Sequence, residues 1–446
     1  MIHDLTEGAP GRVLTSFALP MFFSMLFQQV YNLADSMIAG RYIGTNALGA
    51  VGACYPVTVI FIAIASGLSL GAGTAIAQAF GKKAVNDLKR YIPTAVVFLL
   101  VVSVTVTVAG LFLYKPVLTA LNMPAELLPM GTVYLKICIF GLFFLFLYNI
   151  SNSIFNALGD SKTPLCFLIF SSVLNILLDI LFITVFHLGI LGIAWATFIS
   201  QALASCGSVF VLIRVYIKRI KPDEKNWAAF DFPFVAVILK LGIPSVFQQV
   251  FISMGQLSLQ SVINLYGADT VAGFSAGFKL NLLFVTTTMT LSNALTNYVA
   301  QNIGARKFQR MCAGVRAALK ISYAVTIIII AVYLVFRRPL IQLFISGSAN
   351  PEALSAGSLF LLIVSPFFLL CCAKNTLDGA LRGMGAMKCF MTATFADIAV
   401  RILLGRPFSA LFGLAGVFWV WPAAWLAGTS LSLIFYLYHK NRLKYA

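Results

Sequence analysis

A chain of 446 residues that is 60% hydrophobic, only 10% charged and has a mean hydropathy of +0.94 falls far outside the range of soluble globular domains. A net charge of +17 would, in a soluble protein, point to nucleic acid, but here the basic residues gather in loops between long apolar runs, so that class is set aside.

Apolar runs of about 20 residues, enough for one helical crossing of a hydrocarbon core, recur twelve times. They are continuous and do not alternate every second residue, which selects helices over a β-barrel. The sequence predicts spans over 15–38, 47–80, 91–113, 131–156, 164–185, 190–214, 236–265, 271–302, 316–336, 357–380, 388–405 and 413–438. The first span is too long, and too rich in Gln, Asn and Asp, for the apolar segment of a signal peptide, so it is expected to stay in the mature protein.

Counted by loop, one alternate set holds Arg12, Lys82, Lys83, Lys89, Arg90, Lys162, Arg214, Lys218, Arg219, Lys221, Lys225, Arg306, Lys307, Arg310, Arg316, Lys320, Arg382, Lys388, Lys440, Arg442 and Lys444. The opposite set holds only Arg41, Lys115, Arg337, Arg338, Arg401 and Arg406. Basic loops stay on the cytoplasmic side. Both termini are therefore expected in the cytoplasm, with an even number of crossings.

The eight cysteines form no CxxC pair, and the three histidines are far apart in sequence, so no zinc or redox centre is expected and no cofactor is implied. Small apolar packing residues are the plain reading of these cysteines. A P-loop and HExxH are missing from the sequence, so the chain is not expected to be an enzyme, and work must be driven by an ion gradient.

The chain also repeats itself. "ALPMFFSMLFQQ" matches "LGIPSVFQQVF", placing Pro20 on Pro244, and "ALGAVG" (47–52), "AQAFGKK" (77–83) and "GILGIAW" (189–195) match "VAGFSA", "AQNIGAR" and "GLAGVFW" at offsets of 223 or 224. Six spans per half keep the two halves in the same orientation, related by a pseudo-twofold axis along the membrane normal. The expected organisation is an N-terminal six-helix lobe (1–214), a charged cytoplasmic linker (215–235) and a C-terminal six-helix lobe (236–446). Such a plan belongs to alternating-access carriers, with small-molecule substrates and membrane lipid as partners and a monomeric state expected.

Asp35, Asp179, Asp378 and Asp397 fall inside spans. A charged residue at the centre of a membrane helix costs about 2.5–3.5 kcal/mol on insertion scales, so such residues face polar interiors and functions. Ser24, Gln28, Tyr31 and Asp35 follow helical spacing along one face of the first span. Asn175 and Asp179 lie one turn apart in the fifth, Thr197 lies in the sixth, and Asn149, Asn152 and Asn156 line one face of the fourth. If these faces converge, two carboxylates, a carboxamide and a hydroxyl share a pocket fit for a proton or a small cation. Helix–helix hydrogen bonding is the competing reading, chiefly for Thr197 and Asn156.

The second half has no copy of the carboxylate pair: Leu259 stands opposite Asp35, while Arg401 and Gly405 stand opposite Asn175 and Asp179. It keeps an uncharged stripe of Ser245, Gln249, Ser253, Gln256, Gln260 and Asn264, together with Lys279, Lys374 and Asp378. Lys374 and Asp378, one turn apart, either neutralise each other or contact substrate. Gly67, Gly71 and Gly73 mark close helix packing.

The segments "LP…QQVYNLADSMIAGRYIG", "AQAFGKK", "NALGDSKTP", "NILLDILF" and the Gln-Asn-x-Gly run that ends the eighth span resemble the multidrug and toxic compound extrusion (MATE) transporters, closest to the DinF-like branch. The resemblance covers nearly the whole chain. It implies a twelve-helix, two-lobe antiporter that exports amphiphilic, often cationic, compounds in exchange for protons or sodium ions. Carried onto this sequence, it implies coupling at Asp35, Asn175, Asp179 and Thr197, with Gln28, Tyr31, Asn149 and Asn152 near the cavity. Gln256, Lys279 and Asp378 complete the candidate cavity residues. Alternatives are a flippase for a lipid-linked or polysaccharide precursor, which needs a strongly cationic cavity, and a membrane-embedded sensor, for which the sequence shows no output domain.

Overall fold

The computed structural model describes residues 3–38, 42–43, 45–120, 123–124, 126–216, 230–344 and 351–444. Of the residues counted for charge placement, Arg41, Lys218, Arg219, Lys221 and Lys225 lie outside this set, as does most of the 215–235 linker. Among the described residues all regular structure is helical. A long apolar sequence has nowhere else to put its backbone hydrogen bonds in lipid.

The helices are α1 (Pro10–Ile38), α2 (Thr45–Gly81), α3 (Val85–Ala120), α4 (Leu128–Phe140), α5 (Leu142–Ala157), α6 (Lys162–Ile180), α7 (Ile190–Val215), α8 (Phe232–Ile263), α9 (Ala268–Gly304), α10 (Phe308–Val335), α11 (Arg337–Gln342), α12 (Pro351–Val364), α13 (Phe368–Gly383) and α14 (Met387–Lys444). Two expected spans are broken helices: α4 and α5 bend by 46° about Gly141, and α12 passes into α13 through a 3-10 turn at Ser365–Phe367. The last two expected spans run together as α14, divided by non-helical Gly413. With these pairs resolved, the twelve expected spans are all present. Arg401, counted above among loop charges, instead lies inside α14, where Asp397 one turn earlier neutralises it and lets the helix continue.

The repeat is legible in the backbone. Left-handed φ values recur at offsets of 223, 226 and 224: Lys83 and Arg306, Gly159 and Gly385, Gly189 and Gly413. The breaks at Gly141 and at Ser365–Phe367 fall in register too. So does the packing, because α5 touches α2, α3 and α7 just as α13 touches α9, α10 and α14. Pro20 and Pro244 both lie inside helices, α1 and α8. Each removes one backbone hydrogen bond; on α1, Ser24 Oγ donates back to the Pro20 carbonyl at 3.0 Å, a contact that favours a bend.

By packing, the described chain forms two units, one of Ser16–Val246 with the residues up to Asp4, the other of Leu5–Thr15 with Phe247–Ala446. In the first, the glycines singled out in the sequence sit at close approaches. A Cβ on Gly71 would lie 2.5 Å from the Gly242 nitrogen, and one on Gly67 2.7 Å from that of Val246. Only glycine allows α2 and the first half of α8 to meet backbone to backbone.

The second unit is built on aromatic packing. Phe284 stacks on Phe368 with centroids 3.8 Å apart, and Phe274, Phe360, Phe418 and Trp421 fill the centre. This unit also holds the start of the chain. Gln301 Oε1 accepts from Leu5 N at 3.0 Å, Lys307 Nζ donates to the Thr6 carbonyl at 2.9 Å, and Arg310 donates to the carbonyls of Glu7 (2.6 Å) and Gly8.

Candidate functional site: a buried carboxyl pair in the first unit

The site is assembled by α1, α4, α6 and α7. α6 places Asn175 and Asp179 on one face, 1% and 0% exposed. With its amide oriented to suit its neighbours, Asn175 donates to Asp179 Oδ2 at 3.0 Å and accepts from the Thr197 backbone N (3.1 Å) and Oγ1 (3.3 Å) of α7. One carboxamide thus ties two helices together and fixes a carboxyl group.

Asp35 of α1 reaches the same place and makes hydrogen-bonding contact with Asp179. Two carboxyl groups in such contact need one proton or one cation between them, since two bare carboxylates repel. Asp35 Oδ1 and Asp179 Oδ1 are buried and have no hydrogen-bond partner among the described residues. No Lys, Arg or His is paired with either aspartate among those residues. A buried acceptor left without a donor is costly. The arrangement therefore calls for a small positive partner that the described residues do not themselves supply.

Tyr31, one turn before Asp35, is in hydrogen-bonding contact with Thr197 and closes one side of the pair. Tyr134 and Cys138 on α4 close another; they bond to each other and lie in the electrostatic reach of Asp35. Sequence reading missed these two. Tyr134 is one of many aromatics in an apolar run, and Cys138 reads as a packing residue; their spacing of four, on a helix broken next to its neighbour, was the only signal.

The donor set fits either a sodium ion or a proton. Oxygens of Asp35, Asp179, Thr197, Asn175 and Tyr31 are the hard ligands a sodium ion takes, and the same carboxyl pair can hold a proton.

The other candidate residues are placed as follows. Gln28 is exposed on α1. Asn149 turns back onto its own helix, donating to the Leu145 carbonyl at 2.8 Å, so its amide nitrogen is committed locally. Asn152 makes hydrogen-bonding contact with Tyr148 while its Oδ1 is buried without a partner among the described residues. In the second unit, Gln256 is half-buried, Lys279 is exposed with Nζ 5.5 Å from the Phe344 ring centroid, and Asp378 is buried in an ion pair. The structure brings Asp35, Asn175, Asp179 and Thr197 together with Tyr31 in one unit, and holds Gln256, Lys279 and Asp378 in the other.

Twelve helical crossings in two matching halves, one of them carrying a buried carboxyl pair, describe a multi-pass membrane carrier. The chain belongs to the MatE family, whose model matches residues 20–181 and 244–406, one segment in each half. It is similar to a probable multidrug resistance protein, YpnP, of Bacillus subtilis (strain 168), 31% identical over 97% of this chain and 92% of that protein. It is also similar to an FAD transporter of Shewanella oneidensis, 25% identical over 92% of this chain and 89% of that one. In fold it matches the outward-facing structure of a multidrug resistance transporter of the same family, with a TM-score of 0.90 at 22% identity over 99% of this chain and 98% of that one. The chain is a transporter, not an enzyme.

Proposed function

We propose that this protein is a cation-coupled antiporter of the bacterial plasma membrane, with both termini cytoplasmic, that exports amphiphilic, often cationic, compounds. One observation carries the reading: Asp35 and Asp179 meet in a buried site with no basic residue paired to them among the described residues. A site in need of a positive partner binds a proton or sodium ion better in one conformation than in another, and that difference is what couples ion to cargo. Asn175, Thr197 and Tyr31 orient the pair. The similarity to a multidrug resistance protein supports the class of cargo.

A cargo bearing pyrophosphate, whether a lipid-linked sugar or the flavin dinucleotide named for the Shewanella relative, is the competing reading. It needs free positive charge. Buried Lys374 and partly buried Arg401 of the second unit are neutralised by Asp378 and Asp397, which weighs against it. Exposed Lys279, and buried Arg382, which has no ion pair among the described residues, are what it has in its favour.

The test is uptake of a fluorescent organic cation into inverted vesicles, driven by sodium at constant pH or by pH at constant sodium. Accumulation under one of these gradients, lost with Asp35→Asn, supports the reading. Accumulation of FAD or of labelled lipid-linked sugar, without movement of the cation, overturns it.

A further inference from the structure

Both acidic residues buried in the second unit have a basic partner one helical turn away. Lys374 Nζ lies 2.8 Å from Asp378 Oδ2, the side chains 8% and 3% exposed. Ser432 Oγ of α14 donates to the other oxygen, Asp378 Oδ1, at 2.6 Å. Both oxygens of Asp378 are thereby engaged. On α14, Arg401 Nε donates to Asp397 Oδ1 at 2.6 Å.

The lysine reaches this position because of a glycine. A Cβ on Gly428 would stand 2.5 Å from Lys374 Cε and 3.4 Å from Asp397 Cβ. With glycine there, the lysine stem passes between α13 and α14 beside both carboxylates. The remaining charged or titratable groups around it are Arg382, which donates to Ser292 Oγ at 2.9 Å, and the Cys371 thiol.

The two halves of the repeat thus treat the carboxyl groups inside their spans in opposite ways. In the first unit no Lys, Arg or His is paired with Asp35 or Asp179 among the described residues. In the second, an ammonium on a four-carbon stem sits against the carboxylate at contact distance, and a hydroxyl completes the shell. An ammonium is a compact point charge of +1 with three donors, the same charge that a sodium ion or a proton would bring.

We propose that Lys374 is a tethered counter-cation: it occupies from within the chain the place a mobile cation would take at Asp378, and so closes that carboxylate to ions from solution. Ion exchange is then confined to the Asp35–Asp179 site. The second statement rests on the function proposed above; the first does not.

The experiment separates the two. Purified full-length Lys374→Met, which keeps an unbranched stem and loses the charge, is made in an Asp35→Asn, Asp179→Asn background that silences the first unit. Its thermal unfolding is followed in sodium chloride against choline chloride at equal ionic strength, and from pH 8 to 5.5. We expect a rise of several degrees with sodium or with acid, absent from the background protein and abolished by adding Asp378→Asn. A folded Lys374→Met protein indifferent to both overturns the proposal.

Should Lys374→Met not fold, Asp378→Asn alone in the otherwise natural chain decides. The number of ions displaced per substrate bound must equal that of the natural protein, and a lower number shows that Asp378 exchanges with solution and overturns the proposal. If ion displacement instead survives Asp35→Asn, the function proposed above fails while the unfolding result on Lys374 stands.

Discussion

Asn175 donates to Asp179 Oδ2 at 3.0 Å while its carbonyl oxygen accepts from Thr197, so a single amide holds α6 and α7 together at the carboxyl pair. Asn175→Asp would keep the size, remove the donor and add a third negative charge. Asn175→Ala leaves Asp179 unsupported, a loss of about 1–3 kcal/mol for a buried unsatisfied group. In a gradient-driven uptake assay Asn175→Ala is expected to weaken sodium binding by removing an oxygen ligand, whereas Asn175→Asp, by adding a negative charge, is expected to raise the apparent affinity for either ion. Thr197→Ala is expected to have the smallest effect, because its backbone nitrogen still donates.

Tyr134 and Cys138 border Asp35 from α4 without carrying charge. Tyr134→Phe removes one hydroxyl and keeps the ring, so packing is conserved. A neutral hydrogen bond contributes about 1 kcal/mol net, so a shift of roughly 5-fold in the ion concentration for half-maximal transport is expected, with the maximal rate changed less. Titrating the ion at saturating substrate checks this.

Gly379 lies where α13 meets α9, and a Cβ there would stand 2.5 Å from the Ser292 carbonyl oxygen, a backbone atom that cannot swing aside. Gly379→Ala is expected to destabilise the second unit by about 1–3 kcal/mol, the usual scale of overpacking. Gly52, where an added Cβ would meet nothing within 4 Å, serves as the control. Gly52→Ala should leave the midpoint of thermal unfolding in detergent unchanged or slightly raised, while Gly379→Ala lowers it.

Arg310 donates to the carbonyls of Leu5 (3.3 Å), Glu7 and Gly8, and with Lys307 and Gln301 it fastens the start of the chain to the second unit. Arg310→Ala removes the donors to Glu7 and Gly8 and leaves Leu5 and Thr6 held by others. Amide exchange at residues 5–9 is expected to speed up by roughly ten-fold or more, for a loss of about 1.5–3 kcal/mol in hydrogen bonds to a charged group. Hydrogen–deuterium exchange by mass spectrometry reads it directly.

Much of this was legible in the sequence, for physical reasons. Asp35, Asn175, Asp179 and Thr197 stood out because polar groups in lipid are expensive and because helical spacing puts Asn175 beside Asp179; the structure adds that one amide bridges them. The repeat was legible from Pro20 and Pro244, and backbone angles at Gly189 and Gly413 follow it. Gly71 was readable as a close approach. Asn149 was not readable as a residue that bonds its own helix, since a buried amide can turn either way. Tyr134 was hidden among the other aromatics of the chain. The pairing of Arg401 with Asp397 inside α14 was obscured because a basic residue near the end of a span reads as a loop charge until its acidic neighbour is placed.

In the function proposed above, Asp35 and Asp179 hold the coupling ion and surrender it when cargo binds or moves. This release is tested most directly by counting ions displaced on addition of a fluorescent organic cation to the purified protein, measured as proton release in weakly buffered medium and as loss of bound radioactive sodium. For the natural chain about one ion per cargo is predicted, as either proton or sodium, from the single charge a carboxyl pair needs to share. With Asp35→Asn the count is predicted to fall to near zero while the cargo still binds. An unchanged count in that variant would show that the displaced ion is held elsewhere and not by the Asp35–Asp179 pair.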